Sequence, residues 1–225
     1  MNRFLKRAWA EIDLDALEHN YNEIKKLAKG KDILAVVKAN AYGHDDKAVC
    51  LKLQELGVKY YGVSNLWEGE KLRQHGITGT ILTFGYTDED YFDELLEYGI
   101  TQTAGSVQYA KQLSDYAVSK GVKLPVHIKV NTGMTRVGID SQQEMLDIIA
   151  MPGLDCKAAY THFAAADSLD PSDVEYTDRQ QEKLMKIAKD KGLLIHSQNS
   201  GGIIYHGDFG GDIVRAGVIL YGHYP

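Results

Sequence analysis

Short apolar segments alternate with helical segments eight times along the chain, and this alternation restricts the fold more than any other feature. The apolar segments begin about every 26 residues, the length of one strand–helix unit with its connections. Strands that alternate with helices form parallel sheets with right-handed crossovers, and eight such units predict a closed (β/α)8 TIM barrel. The alternative is a doubly wound open sheet, which usually has fewer strands and a GxGxxG first turn that this sequence lacks.

A coarse reading of the pattern assigns each element a position. The predicted strands, each followed by a helix or by the chain end except the seventh, are residues 33–37, 59–64, 80–84, 100–103, 125–130, 157–163, 193–196 and 213–216. Alternation from Trp9 to Leu14 predicts an additional edge strand, and Asp15 with Glu18 predicts a capping box at the first helix. A long polar loop, 165–175, is expected before a helix at 176–191.

Composition excludes several classes of protein. The 225 residues suit one barrel domain, and a net charge of -6 with scattered basic residues argues against nucleic-acid binding. Cys50 and Cys156 are isolated in apolar contexts, which indicates structural thiols in a reducing compartment rather than a disulfide or metal site. No run approaches the roughly 18 apolar residues of a membrane helix, and the start lacks a signal-peptide core. We therefore predict a cytoplasmic protein.

The first buried strand ends in a lysine, Lys38, within the sequence ILAVVKANAYGH. An ammonium is costly to bury, but at the carboxyl end of a barrel strand it faces the functional mouth. A desolvated lysine there has a lowered pKa and can form a Schiff base with a carbonyl. The alternative is that Lys38 only snorkels at a strand end.

Other polar residues stand at or after the ends of later strands. Singly, each is compatible with a structural role, for example an ion-paired arginine or a hydrogen-bonded core histidine. Together they place NSGG and AGV in the loops after strands seven and eight, where barrels commonly bind phosphate. A phosphorylated aldehyde cofactor would reach from these phosphate-binding loops to Lys38. The residues are Tyr42, Lys129, Asn131, Arg136, His162, Asn199, Ser200, Gly201, Gly202 and Arg215.

The sequence VVKANAYGH resembles the pyridoxal-phosphate attachment motif of alanine racemases, and NTGMTRVGI, THF, NSGG and VRAGVILYG resemble later motifs of that family. The resemblance covers the chain from WAEIDLDAL onward. It implies a fold-type III pyridoxal-phosphate barrel spanning residues 1–225, followed in the family by a C-terminal β domain with which residues 8–14 would pair as a strand.

The resemblance also implies roles for individual residues. Lys38 would bind pyridoxal 5'-phosphate as an aldimine and exchange a proton on one face of the substrate Cα. Arg215 would face the pyridine nitrogen with His162 behind it, and Arg136 would reach the phenolic oxygen and the substrate carboxylate. Lys129 resembles a carbamylated lysine that orients this arginine. The phosphate and cofactor would be bound by Tyr42, Asn199, Ser200, Gly217 and Val218.

By this resemblance the protein is an amino-acid racemase that interconverts L- and D-alanine, or serine, and supplies D-alanine for the cell wall. Asp45 and Thr135 stand where the family commonly has glycine. The opposite-face base, a tyrosine of the partner subunit's β domain in a head-to-tail homodimer, is missing, so the chain alone should racemise poorly. The alternatives are a single-domain pyridoxal-phosphate homeostasis protein and a barrel that binds another phosphorylated metabolite.

Overall fold

The computed structural model describes residues 8–225, in which eight parallel strands form one sheet. The strands lie in the order β7-β6-β5-β4-β3-β2-β1-β8, so β1 to β7 pair in sequence order and β1 also pairs with β8. They are β1 Asp32–Val36, β2 Tyr60–Val63, β3 Thr80–Thr83, β4 Thr101–Ala104, β5 Leu124–Lys129, β6 Leu154–Tyr160, β7 Leu194–His196 and β8 Ile213–Ala216.

Backbone hydrogen bonds between the segments of β7 and β8 complete the ring. The Asp212 amide donates to the Ile195 carbonyl and the Arg215 amide to the Gln198 carbonyl, both at 2.8 Å. The predicted (β/α)8 barrel is therefore confirmed. The carboxyl ends of all eight strands meet at one mouth, as parallel pairing requires.

Helices surround the barrel in the described part of the chain. They are α1 Leu14–Leu27, α2 Lys38–Gly43, α3 Asp46–Glu55, α4 Leu66–Gln74, α5 Phe92–Glu97, α6 Val107–Ser119, α7 Gln142–Ile149, α8 Pro171–Ala188 and α9 Ser200–Tyr205, with 3-10 turns at Glu89–Tyr91 and Val218–Tyr221. Within residues 8–225, no helix combines the length and the apolar character needed to cross a membrane.

The barrel has two unlike cores. The main apolar core includes residues such as Ile81 and Leu113, and its members come from both strands and surrounding helices. A smaller apolar cluster joins Leu34, Val36, Leu82 and Ile213. Buried polar side chains of β5 to β8 contact one another outside these two apolar clusters. They form the floor of the site described below.

Three predicted elements differ from the structure. The sixth strand is Leu154–Tyr160 rather than 157–163, and α8 begins at Pro171, inside the segment predicted as a polar loop. Proline suits the first turn of a helix because it lacks only an N–H that has no helical acceptor there. The seventh strand, for which no helix was predicted, is followed by the short helix α9, capped by Asn199.

The segment before α1 also differs from its prediction. Residues 8–13 form no strand, and Leu14 already belongs to α1. Asp13, rather than Asp15, caps the helix by accepting from the amides of Asp15 and Ala16 at 2.9 Å. A strand requires a partner for its hydrogen-bond ladder. The partner expected for residues 8–14 is a further domain outside this chain, so that pairing stays a prediction.

Candidate active site

A cavity of about 590 Å³ lies at the carboxyl ends of the strands. Every residue with a predicted catalytic or cofactor-binding role lines it, because barrel closure gathers the ends of five strands at one mouth. These residues are Lys38, Tyr42, Lys129, Arg136, His162, Asn199, Ser200, Arg215, Gly217 and Val218. Gly201 also lines the cavity. Asn131 and Gly202 do not, and Asn131 instead accepts from the Gly133 and Thr135 amides.

Lys38 follows β1 by two residues, and its half-buried side chain forms part of the cavity wall. Its Nζ lies 5.9 Å from the centre of the Tyr42 ring. The two side chains approach one another because the backbone reverses tightly after Lys38. The amine is therefore accessible from the cavity and has an aromatic face beside it.

The reversal is a left-handed helical turn, which the sequence did not predict. Ala39, Asn40, Ala41 and Tyr42 all have φ between 53° and 56°. Left-handed backbone costs an L-residue about 1–2 kcal/mol, so neighbouring contacts must maintain it. The Asn40 side chain accepts from the Asp46 amide at 3.1 Å.

Tyr221 supports the same turn from the other end of the chain. Its ring packs against those of Tyr42 and His44, with centroids 5.1 and 4.8 Å apart. Its hydroxyl donates to the Val36 carbonyl at the end of β1, at 3.0 Å. The 3-10 turn after β8 thus fixes the segment that presents Lys38.

A small polar cup lies opposite, between the loops after β7 and β8. Ser200 Oγ accepts from the Gly217 amide at 3.1 Å. A methyl group on Gly217 would lie 3.2 Å from the Tyr42 hydroxyl and 3.5 Å from Ser200 Oγ. The missing side chain therefore leaves a space bordered by two hydroxyls. Asn199 shapes the loop by accepting from the Gly202 amide at 3.0 Å.

Arg215 occupies the floor of the cavity and is 3% exposed. Its guanidinium donates to the carbonyls of His196 and Ser197, both at 3.0 Å, and to His162 Nδ1 at 3.2 Å. Burial lowers the pKa of Arg215 to about 10, which still leaves it charged at neutral pH. The three acceptors fix the orientation of this cation.

His162 accepts this bond through Nδ1, so its proton is on Nε2. Burial, followed by the positive charge of Arg215, lowers the pKa of His162 to about 2. The imidazole is neutral at physiological pH. It cannot be the group that supplies a proton by titrating near pH 7.

Two further histidines, which sequence reasoning missed, extend the network beneath Arg215. His196 Nδ1 lies 3.4 Å from the guanidinium, and His196 Nε2 lies 3.1 Å from His127 Nδ1. Because arginine only donates, His196 Nε2 carries the proton and donates to His127. Tyr160 stacks on His196, with ring centroids 4.6 Å apart. The sequence did contain a signal for His127. It is separated from Lys129 by one residue in β5, so the two side chains lie on the same face of the strand.

Lys129 and Arg136 occupy different environments. Lys129 is 7% exposed, and its Nζ lies 4.7 Å from the centre of the Tyr160 ring. Burial, with the nearby charges of Arg215 and Arg136, holds the pKa of the Lys129 amine well below its usual range. Arg136 lines the cavity from an exposed loop, and the preceding Thr135 has φ of 56°.

Comparison with known proteins places this chain in a family. A family profile described as "Alanine racemase, N-terminal domain" matches residues 12–225. The chain belongs to the alanine racemase family. The alanine racemase of Clostridium perfringens is 39% identical over 235 residues, covering 100% of this chain and 60% of the relative. The alanine racemase of Methanococcus maripaludis is 38% identical over 228 residues, covering 96% and 60%.

Solved structures of two racemases superpose on the barrel. The alanine racemase of Clostridium difficile 630 superposes with a TM-score of 0.92 at 39% identity, covering 99% of this chain and 60% of that one. The histidine racemase of Leuconostoc mesenteroides subsp. sake superposes with a TM-score of 0.86 at 28% identity, covering 95% and 59%. The chain thus spans about 60% of the length of the curated relatives it matches.

Proposed function

We propose that this chain is the pyridoxal 5'-phosphate-binding barrel of an amino-acid racemase acting on alanine. The observation that supports the proposal best is the placement of Lys38 and the Tyr42–Ser200–Gly217 cup in one cavity, with the Arg215 guanidinium at its floor. An amine, an anion-sized space bordered by hydroxyls and a fixed cation fit a phosphorylated pyridine aldehyde. The cavity volume is in the range of small-molecule sites.

The fit is specific in the cup. The space that a methyl group on Gly217 would fill is bordered by the Tyr42 and Ser200 hydroxyls, which can donate to a phosphate. Asn199 and Val218 complete the two loops that line it. In this proposal the Lys38 amine would hold the cofactor by condensing with its aldehyde, with release of water. The bound cofactor supplies an electron sink for the carbanion formed at the substrate Cα.

The charged residues then have distinct tasks. The Nε–H of Arg215, which takes no part in the hydrogen bonds described above, would be the donor left for the pyridine nitrogen. The guanidinium would keep its proton, since it is a very weak acid. A pyridine ring left unprotonated would withdraw electron density from the substrate less strongly, which would limit side reactions. The neutral His162 holds the guanidinium in place. Arg136 binds the substrate carboxylate, and Lys38 moves a proton on one face of Cα.

Lys129 belongs to this proposal as a support for Arg136. An uncharged amine is the form that adds CO2, giving a carbamate and releasing one proton. A carbamate at this position would carry one negative charge, and it would face the positive charges of Arg215 and Arg136 named above. The modification stays a prediction.

Racemisation needs proton exchange on both faces of Cα. Residues 1–225 are proposed to be one barrel domain of a longer, head-to-tail homodimeric enzyme whose C-terminal β domain supplies the second base. Serine is an alternative substrate in this proposal. A similar barrel occurs in a protein described as a histidine racemase, which supports keeping the choice of amino acid open. A homeostasis protein without racemase activity is not favoured, because the relatives named above are racemases.

The test is covalent trapping. Incubation with pyridoxal 5'-phosphate and reduction with borohydride should place one adduct on Lys38, found by peptide mass mapping. Lys38→Ala should lose the adduct, whereas Lys71→Ala, which removes an amine paired with Asp46, should keep it. Interconversion of L- and D-alanine should be slow in this chain alone, whereas exchange of the Cα proton with deuterium should proceed only on the face that Lys38 serves. An adduct elsewhere, or no adduct, would refute the proposal.

A further inference from the structure

The carboxylate of Glu68 bridges two backbone segments beside the cavity. Glu68 Oε1 accepts from the Ala39 amide at 2.8 Å, and Oε2 accepts from the Ser64 amide at 2.7 Å. Ala39 directly follows Lys38, and Ser64 directly follows β2 and lines the cavity. One side chain on α4 therefore ties the start of the left-handed turn to the neighbouring strand.

We propose that Glu68 is a positioning residue for Lys38. The first amides of a helical turn have no acceptor within it, so the Ala39 N–H needs an acceptor from outside. Glu68 supplies it with a charged oxygen, which makes a stronger hydrogen bond than a neutral one. By fixing the peptide that follows Lys38, the carboxylate selects the left-handed backbone and directs the lysine side chain to the cavity wall.

Bridging the two amides requires both oxygens of a carboxylate. Both oxygens of Glu68 are used, each on a different segment, and the Glu68 amide is itself bonded to the Asn65 side chain at 3.1 Å. A glutamine in the same place has one acceptor oxygen and an NH2 group that cannot accept. Glu68→Gln therefore leaves either Ala39 or Ser64 without its partner while preserving size and shape.

Glu144 provides a matched control. Like Glu68 it is the third residue of its helix, α7, and it accepts from two backbone amides, those of Asp140 and Ser141, both at 2.9 Å but both through the single oxygen Oε2. Neither of its partners lines the cavity. Because one oxygen serves both bonds, Glu144→Gln makes the same chemical change and can keep both partners. It therefore controls for the loss of a carboxylate charge in the first turn of a helix, away from Lys38.

The inference rests on the proposed function, and two readouts keep them distinguishable. Hydrogen exchange of the Ala39 amide should be about tenfold faster in Glu68→Gln than in the unsubstituted protein or in Glu144→Gln. Schiff-base formation at Lys38 with pyridoxal 5'-phosphate, followed by absorbance, should slow by about tenfold in the same variant only. Glu68→Asp, which shortens the reach by one methylene, gives a milder variant if Glu68→Gln does not fold.

Equal behaviour of Glu68→Gln and Glu144→Gln in both readouts would overturn the inference. A faster Ala39 exchange without slower Schiff-base formation would also overturn it, because the carboxylate would then be structural only. Absence of any Lys38 adduct in the unsubstituted protein would instead refute the proposed function, and the exchange measurement would still test whether Glu68 holds the turn.

Discussion

Arg215 illustrates how one buried side chain can serve both the fold and the site. Its guanidinium is bonded to two backbone carbonyls and to His162, which leaves its position determined by the barrel rather than by a ligand. Arg73 is a useful comparison. It donates to four carbonyls, those of Ile77, Gly79, Tyr98 and Gly99, at 2.7–3.0 Å. Both residues join separate segments, but only Arg215 lines the cavity.

This pair gives a prediction at the residue scale. In Arg215→Lys a single ammonium cannot reach acceptors spread across a guanidinium fork, so unpaired carbonyls should cost about 2–4 kcal/mol of unfolding free energy. Affinity for pyridoxal 5'-phosphate, the proposed cofactor, should fall as well when measured by absorbance titration. Arg73→Lys should lose comparable stability in urea unfolding while keeping cofactor affinity. Equal affinities in the two variants would contradict a site role for Arg215.

At the scale of elements, the loop between β5 and α7 is held closed by its own backbone. The Asn131 amide donates to the Ile139 carbonyl and the Ile139 amide to the Lys129 carbonyl, both at 2.9 Å. Between these ends, Asn131 Oδ1 accepts from the amides of Gly133 and Thr135. The loop presents Arg136 to the cavity on a turn that requires positive φ at Thr135.

Thr135→Gly should therefore stabilise the protein. A β-branched residue at φ of 56° is strained, and relief of about 1–2 kcal/mol exceeds the extra backbone entropy of glycine, about 0.5–1 kcal/mol. We expect a net gain of about 0.5–1 kcal/mol in unfolding free energy, measured by urea denaturation. Thr78→Gly, in a loop away from the cavity, should show no such gain. A loss of stability in Thr135→Gly would show that the threonine side chain supports the loop.

The strands and the site were largely predictable because both follow from local pattern. Buried parallel strands are continuous apolar runs, and once the barrel closes, residues at strand ends such as Lys38 and Arg215 must converge. The left-handed turn was not predictable, since Ala39 and Tyr42 carry no preference for positive φ. Glu68 was missed for a different reason: its partner Ala39 is 29 residues away, in another strand–helix unit.

At the scale of the whole molecule, the barrel buries His127 and His196 in neutral form. Burial lowers the pKa of His127 to about 4 and holds that of His196 well below its usual range. The unfolded chain exposes both at the ordinary histidine pKa of about 6.5. Below that pH the unfolded state binds more protons than the native state, so acid favours unfolding. The stability is fully present above pH 6.5 and declines toward each native pKa.

His127 allows this linkage to be measured. Its Nδ1 accepts from His196 Nε2, and His127→Asn can keep an acceptor oxygen in that place without a titrating ring. For the unsubstituted protein, His127 should contribute a fall of about 2 kcal/mol in unfolding free energy between pH 7.5 and 5. Urea unfolding across pH 7.5–5 should therefore give a shallower decline for His127→Asn by about that amount. Carboxylates are ionised in both states over most of this window, so they add little to the difference. Parallel curves would mean that His127 is protonated within the folded barrel.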